Sequence, residues 1–160
     1  MHRLIVLLIC AAPLAAAPVP KALKKKPSLD GTWLVDDCWY NLDKHDRTEW
    51  RVWTATGEKL AAYPVNDVDE WRAYIDDKKP YCWRWTITFP DPNDPTAIDM
   101  REGEGEKAKV LRGRFVLDGD SLKLCYNVTV TEPRPTVCEP AKTVVYYSFK
   151  RVEESKLKAK

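Results

Sequence analysis

Residues 113–126, GRFVLDGDSLKLCY, alternate apolar and polar side chains on both sides of Asp118-Gly119-Asp120. Successive side chains of a strand point to opposite faces, so this period of two means a sheet with one buried face. Asp-Gly between two such runs is a strong hairpin signal, because tight turns need residues that accept positive φ. The stretch therefore predicts two antiparallel strands, with Leu122, Leu124 and Tyr126 facing inward and Cys125 outward. That constrains the architecture and says nothing about activity.

The same period recurs along the chain. Residues 32–35 (TWLV) follow a break at Gly31, and Cys38-Trp39-Tyr40 continue that strand past a bulge at Asp36-Asp37. Further strands are predicted over 47–54, 60–63, 81–89, 96–100, 109–117, 121–131 and 143–152. In 81–89, Tyr81, Trp83, Trp85, Ile87 and Phe89 share one face, and Cys82, Arg84, Thr86 and Thr88 the other. Prolines 90, 92 and 95 remove ladder donors and force a turn. Residues 67–75 (DVDEWRAYI) are ambiguous. Val68, Trp71 and Ile75 have helical spacing with Asp67 as cap, while Trp71 and Tyr74 also suit a strand. The balance favours a short helix or an irregular segment. Roughly eight strands with short connections make an antiparallel meander, and closing it into an up-and-down barrel removes both raw edges. The predicted class is all-β, with a β-sandwich as the alternative and at most one short helix.

The ends read differently. Residues 1–17 have a basic start at His2 and Arg3, an apolar run over 4–10 and a small-residue exit at Ala15-Ala16-Ala17. That is the order of a secretory signal peptide, and the run is shorter than the ~20 residues of a transmembrane span. Cys10 lies within it, preceded by bulky Ile9 where an acylation signal wants a small residue. Residues 18–28 are a Pro- and Lys-rich linker, 29–152 the folded domain and 153–160 a basic tail. The expected location is outside the cytoplasm: periplasmic, cell-surface or secreted. Loss of Arg3 takes the 26 basic residues to 25, against 24 acidic ones. So balanced a charge argues against a nucleic-acid partner. Four cysteines remain: Cys38, Cys82, Cys125 and Cys138. An even count in an exported chain points to two disulfides. Three pairings are open, and Cys38–Cys82 with Cys125–Cys138 is favoured because each pair lies within one half of the chain. Zinc is disfavoured, since no C-x-x-C pair occurs.

Several spaced motifs add a resemblance. Asp94-Pro95-Thr96-Ala97-Ile98-Asp99-Met100, Gly113-Arg114-Phe115, the run from Leu117 to Cys125 and Arg134-Pro135-Thr136 occur in that order. They follow an opening Leu29-Asp30-Gly31-Thr32-Trp33 and precede a closing Phe149-Lys150-Arg151. Together they resemble an uncharacterised lipocalin-like domain family expanded in planctomycete bacteria. The resemblance spans residues 29–35 and about 85–151. It implies a lipocalin-like barrel and bacterial export, and it assigns no catalytic residue, cofactor or ligand. Residues 36–84 depart from the pattern, being longer, richer in tryptophan and carrying two extra cysteines.

All seven tryptophans lie between Trp33 and Trp85. Aromatic rings fill small barrels and also line ligand cavities. Trp33, Trp85, Ile87 and Phe89 read as core. Trp39, Trp50 and Trp53 sit among charges and, with Trp83, are the candidate pocket or rim residues. A cavity of ~300 Å³ or more lined by Trp and Tyr would mark a binding protein. An interior closed by Trp33, Trp85, Phe115 and Tyr126 would oppose one.

Catalytic patterns are weak. His45 is the one histidine beyond the leader, in the charged run Asp43-Lys44-His45-Asp46-Arg47, which reads as plain surface. No G-x-S-x-G, H-E-x-x-H or glycine-rich phosphate loop occurs. Asp118 and Asp120 are explained by their turn. Asp91, Asn93 and Asp94 lack the ordered series of a calcium loop. The expected function is a non-enzymatic binding module for a small apolar or aromatic ligand, with no cofactor. A filled-barrel structural or protein-interaction domain is the alternative, and a hydrolase a distant third.

Overall fold

Each predicted strand has a counterpart antiparallel to its neighbours, although the one predicted over 47–54 begins only at Val52, and its residues 47–49 lie outside the described residues. The computed structural model describes residues 28–45, 50–77, 82–153 and 155. The predicted signal peptide with Cys10, residues 18–27 of the linker, Tyr81 and most of the basic tail lie outside these.

The elements in order are β1 (Gly31–Tyr40), β2 (Asp43–Lys44), β3 (Val52–Thr56), β4 (Lys59–Tyr63), α1 (Val68–Asp76), β5 (Trp83–Thr88), β6 (Ala97–Glu102), a 3-10 turn (Gly105–Lys107), β7 (Lys109–Asp118), β8 (Ser121–Asn127) and β9 (Val144–Arg151). Each stave pairs with the next, and β1 pairs with β3 over residues 31–34 and with β9 over residues 33–40. The result is a closed eight-stranded up-and-down barrel of lipocalin-like type, with the two-residue β2 added beside the far end of β1. The sandwich alternative falls. The tryptophan-rich stretch 36–84 is built into the wall, supplying the second half of β1 with β3, β4 and the start of β5, and it adds α1 outside.

Period two fills the interior. A bulge between Val35 and Asp37 shifts the phase of β1, so Trp33, Val35 and Cys38 all belong to the inner cluster. Trp53 stacks on Trp85 at 5.3 Å and touches Tyr147 at 5.0 Å and Phe149 at 5.2 Å. Phe89 meets Phe115 edge-on at 5.6 Å. Leu122 and Leu124 point inward as predicted, and half-buried Tyr126 packs against them.

One end is sealed. Leu29 is buried, and its carbonyl accepts the Trp33 indole N–H at 2.9 Å. The Arg151 guanidinium lies 4.2 Å over the Trp33 ring and donates to the Asp30 carbonyl at 2.6 Å. Gly31 permits this: a Cβ there would collide with that guanidinium, and its φ of 142° suits only glycine. The Asp30 carboxylate accepts from Ser28 Oγ at 2.7 Å and from the Gly57 amide at 2.6 Å, tying the start of β1 to the β3–β4 turn.

Two segments cover the outer wall. The helix α1 starts where Asp67 accepts the amides of Asp69 and Glu70. Its packed face differs from the predicted one. Trp71 and Tyr74 meet Tyr63 edge-on at 6.2 and 6.0 Å, above Val52 and Val65, while Ile75 is 44% exposed. Residues 128–143 form a strap over β6–β8. The strand β8 stops at Asn127, short of the predicted 131, because the Asn127 amide turns to the Pro133 carbonyl. Two arginines latch the strap. Arg114 pairs with Asp94 at 2.9 Å, bonds Thr96 Oγ and donates to the Pro135 carbonyl at 3.0 Å. Arg134 pairs with Asp99 and donates to the Gly113 carbonyl at 2.8 Å. A Cβ at Gly113 would sit 2.6 Å from the Cys125 carbonyl, so the close approach of β7 to β8 at this point needs glycine.

Candidate functional site

The open end of the barrel is where aromatic surface reaches solvent. It is formed by the start of β3, the end of β4 and the start of β5. Trp83 is 47% exposed there, although period two places it on the inner face. Its ring meets half-buried Trp50 edge-on at 5.7 Å and the buried Trp85 at 5.9 Å.

Two features of this rim are unusual. Trp50 has a φ of 66°, in the left-handed region that bulky residues avoid. Its carbonyl accepts the Trp53 indole N–H at 2.9 Å, which fixes the turn into β3. Residues held in such regions cost on the order of 1–3 kcal/mol and persist where surrounding structure over-determines them. In addition, the Trp85 indole N–H is buried with no acceptor among the described residues. A buried donor in that state costs roughly 1–3 kcal/mol.

The four candidate tryptophans therefore separate. Trp50 and Trp83 form the rim. Trp53 is 3% exposed and lies in the core, because alternation with Ala55 turns it inward despite its charged neighbours. Trp39 lies on the outer wall, half-buried against Tyr146 and Ala141, with Lys44 Nζ 5.9 Å from its ring. Within the lumen, Trp33, Trp85 and Phe115 are all under 5% exposed and Tyr126 is half-buried, so side chains occupy the barrel axis.

His45 lines a hollow of about 470 Å³ beside the β1 bulge, with Asp36, Asp37, Lys44 and Arg51. The imidazole is exposed and meets Tyr40 edge-on at 5.9 Å. The nearby carboxylates are engaged: Asp37 with Lys44, and Asp36 with Lys150 at 3.2 Å. The Ser148 hydroxyl accepts the Asp37 amide at 3.1 Å. Among the described residues, no hydrogen bond joins His45 to an acid or a hydroxyl, and no group of three metal-ligating side chains occurs. Asp91 and Asp94 cap their own turn, accepting the amides of Asn93 and Thr96.

Among the described residues, Cys38, Cys82, Cys125 and Cys138 are all free thiols in the structure. Cys38 belongs to the inner cluster opposite Tyr147, whereas Cys82 is partly exposed just before β5. Cys125 on the outer face of β8 and Cys138 on the strap are neighbours, as the outward orientation of Cys125 predicts. Cys125 Sγ donates to the Val137 carbonyl at 3.6 Å and Cys138 Sγ to that of Arg114 at 3.5 Å. The Cys138 thiol, facing the Cys125 sulfur and buried, is pushed well above the usual thiol range.

Three features have no counterpart in the sequence pattern. The Arg114 and Arg134 latch joins residues far apart in the chain. The strain at Trp50 and the orphaned Trp85 donor appear only in three dimensions. Comparison with protein-family models, curated proteins and solved structures found no match.

Proposed function

We propose that this is an exported, non-catalytic binding module that holds a small flat apolar or aromatic ligand at the barrel mouth. The carrying observation is the exposed Trp83, edge-on to a strained Trp50 above a lumen already filled by side chains. A ligand here stacks on the rim instead of entering the barrel. Aromatic faces supply contact area at low entropy cost, and the unpaired Trp85 N–H one ring below is a donor in search of an acceptor. Export is supported by the basic start, apolar run and alanine exit of residues 1–17. Membership of the planctomycete lipocalin-like family is supported by the ordered motifs, which supply the strap latch and the sealed end. A Cys125–Cys138 disulfide, formed on export, is supported by their adjacency where strap meets wall.

The test has two parts. Native mass spectrometry of protein from its own source should retain a small ligand, and the mass should lack a pair of hydrogens for each disulfide. Titration with N-phenyl-1-naphthylamine, a neutral flat probe, should quench tryptophan fluorescence at one site, and Trp83→Ala should abolish the effect. The filled lumen favours a second reading, a protein-interaction domain. No retained ligand and no saturable quenching would move the assignment there.

A further inference from the structure

The outer wall on the β3–β6 side carries a second feature, independent of the mouth. A groove of about 510 Å³ runs across the outer faces of β3 to β6. Lys59, Arg84 and Arg101 come from three adjacent strands, and strand register assembles them. Thr86 stands between Lys59 on β4 and Arg101 on β6, and Arg84, two residues earlier on the same face, stands opposite Ala61. Directly opposed residues lie ~5 Å apart and diagonal ones ~7–8 Å, so the three cations surround one threonine.

Their charges are not neutralised locally. Among the described residues, neither the Lys59 nor the Arg84 side chain has an ion pair or hydrogen bond. Arg101 donates to the Gly105 carbonyl at 2.7 Å, which holds its guanidinium at the groove edge and leaves its charge unopposed. Glu104 is the one carboxylate in the lining. The floor is polar: Thr54 and Thr86 present hydroxyls, and Thr54 Oγ donates to Tyr63 Oη at 3.4 Å. The strap side differs, since Arg114 and Arg134 each hold an aspartate.

We propose that this groove binds a small polar molecule carrying a tetrahedral oxyanion, a phosphate or sulfate ester. Guanidinium forks match such oxygens in pairs, and threonine hydroxyls meet those that remain. The groove falls in the 300–1,000 Å³ range typical of ligand sites, which is far more than a bare oxyanion fills. The remaining space, lined by hydroxyls and the Tyr63 ring, suits a hydroxylated body such as a sugar.

The experiment is calorimetric titration of the full chain with glucose 6-phosphate, inorganic phosphate, and vesicles containing phosphatidylglycerol. The expected result is one saturable site for the sugar phosphate, with inorganic phosphate competing at higher concentration. Arg84→Gln and Arg101→Gln should each weaken it by about tenfold or more, since each removes a charge-assisted pair. Lys123→Gln, the same charge change elsewhere on the outer wall, should leave it unchanged, as should Trp83→Ala at the mouth. These exposed side chains carry no core packing, and circular dichroism checks that each variant folds. No saturable binding, or an equal loss with Lys123→Gln, overturns the proposal. Binding to vesicles alone also overturns it, by assigning the cations to a membrane surface.

Discussion

The two sides of the barrel are built from opposite materials. The β6–β9 side is closed: each arginine of the latch has its aspartate, Gly113 lets β7 pack closely against β8, and the thiols of Cys125 and Cys138 are buried where strap meets wall. The β3–β5 side is open: Trp83 faces solvent, Trp50 is strained, and among the described residues the Trp85 donor has no acceptor and the groove cations Lys59 and Arg84 have no ion pair. Unmet donors and charges cost stability that a scaffold has no reason to give up. The difference teaches that the motif-bearing side is spent on holding the fold together, and that the binding sites proposed above both fall on the tryptophan-rich side.

The comparison breaks most visibly in the core. Trp53→Ala removes a ring touching Trp85, Tyr147 and Phe149 and should cost ~3–5 kcal/mol in urea unfolding. A loss below ~1 kcal/mol would mean that the lumen is looser than its contacts indicate. Next comes the thiol pair. Oxidation joining Cys125 to Cys138 should raise stability by ~2–4 kcal/mol, and Cys138→Ser should make the melting temperature indifferent to reductant. A smaller effect is expected at the latch. Arg114→Met strands Asp94 and the Pro135 carbonyl, a loss of ~1–3 kcal/mol that partial exposure holds toward the lower end. Faster amide exchange across residues 132–138 should accompany it.

Acid sharpens the same point. The Thr96 hydroxyl, and after it the Arg114 guanidinium, holds the Asp94 carboxyl below its ordinary range despite the opposing pull of desolvation. A carboxylate lowered in the folded state stabilises above its unfolded pKa of ~3.9, and that contribution is lost as pH falls through the folded value. Wild-type melting temperature should therefore drop below about pH 4, and Arg114→Met should flatten part of that drop. Identical pH profiles would remove Arg114 from the account. The smallest stability effect belongs to Trp83→Ala, under ~1 kcal/mol because the ring is half in water already. The substitution should still abolish probe binding.

The hairpin at Asp118-Gly119-Asp120 was legible because its signals are local: period two and turn chemistry decide it without help from the rest of the chain. The cap of α1 was legible for the same reason. Its packed face was not, since the wall selects Trp71 and Tyr74, not the Val68-Trp71-Ile75 series. Trp53 was read as rim from its charged neighbours, yet sequence neighbours of a strand residue lie on the opposite face. The groove was hidden because Lys59, Arg84 and Arg101 meet only through the register of three strands.

The seam between β1 and β9 has a consequence for how the molecule is made. Arg151 and Asp30 meet across 121 residues of chain, and Val152 donates to the Thr32 carbonyl at 2.8 Å along the same seam. A nascent chain that has not yet produced β9 leaves raw edges on β1 and β8 and an uncovered row of aromatic rings. Such non-local closure is slow, and exposed edges seed aggregation. A chain truncated before Val144 should therefore precipitate instead of folding into a smaller barrel, and the wild-type protein depends on staying unassembled until its last strand arrives.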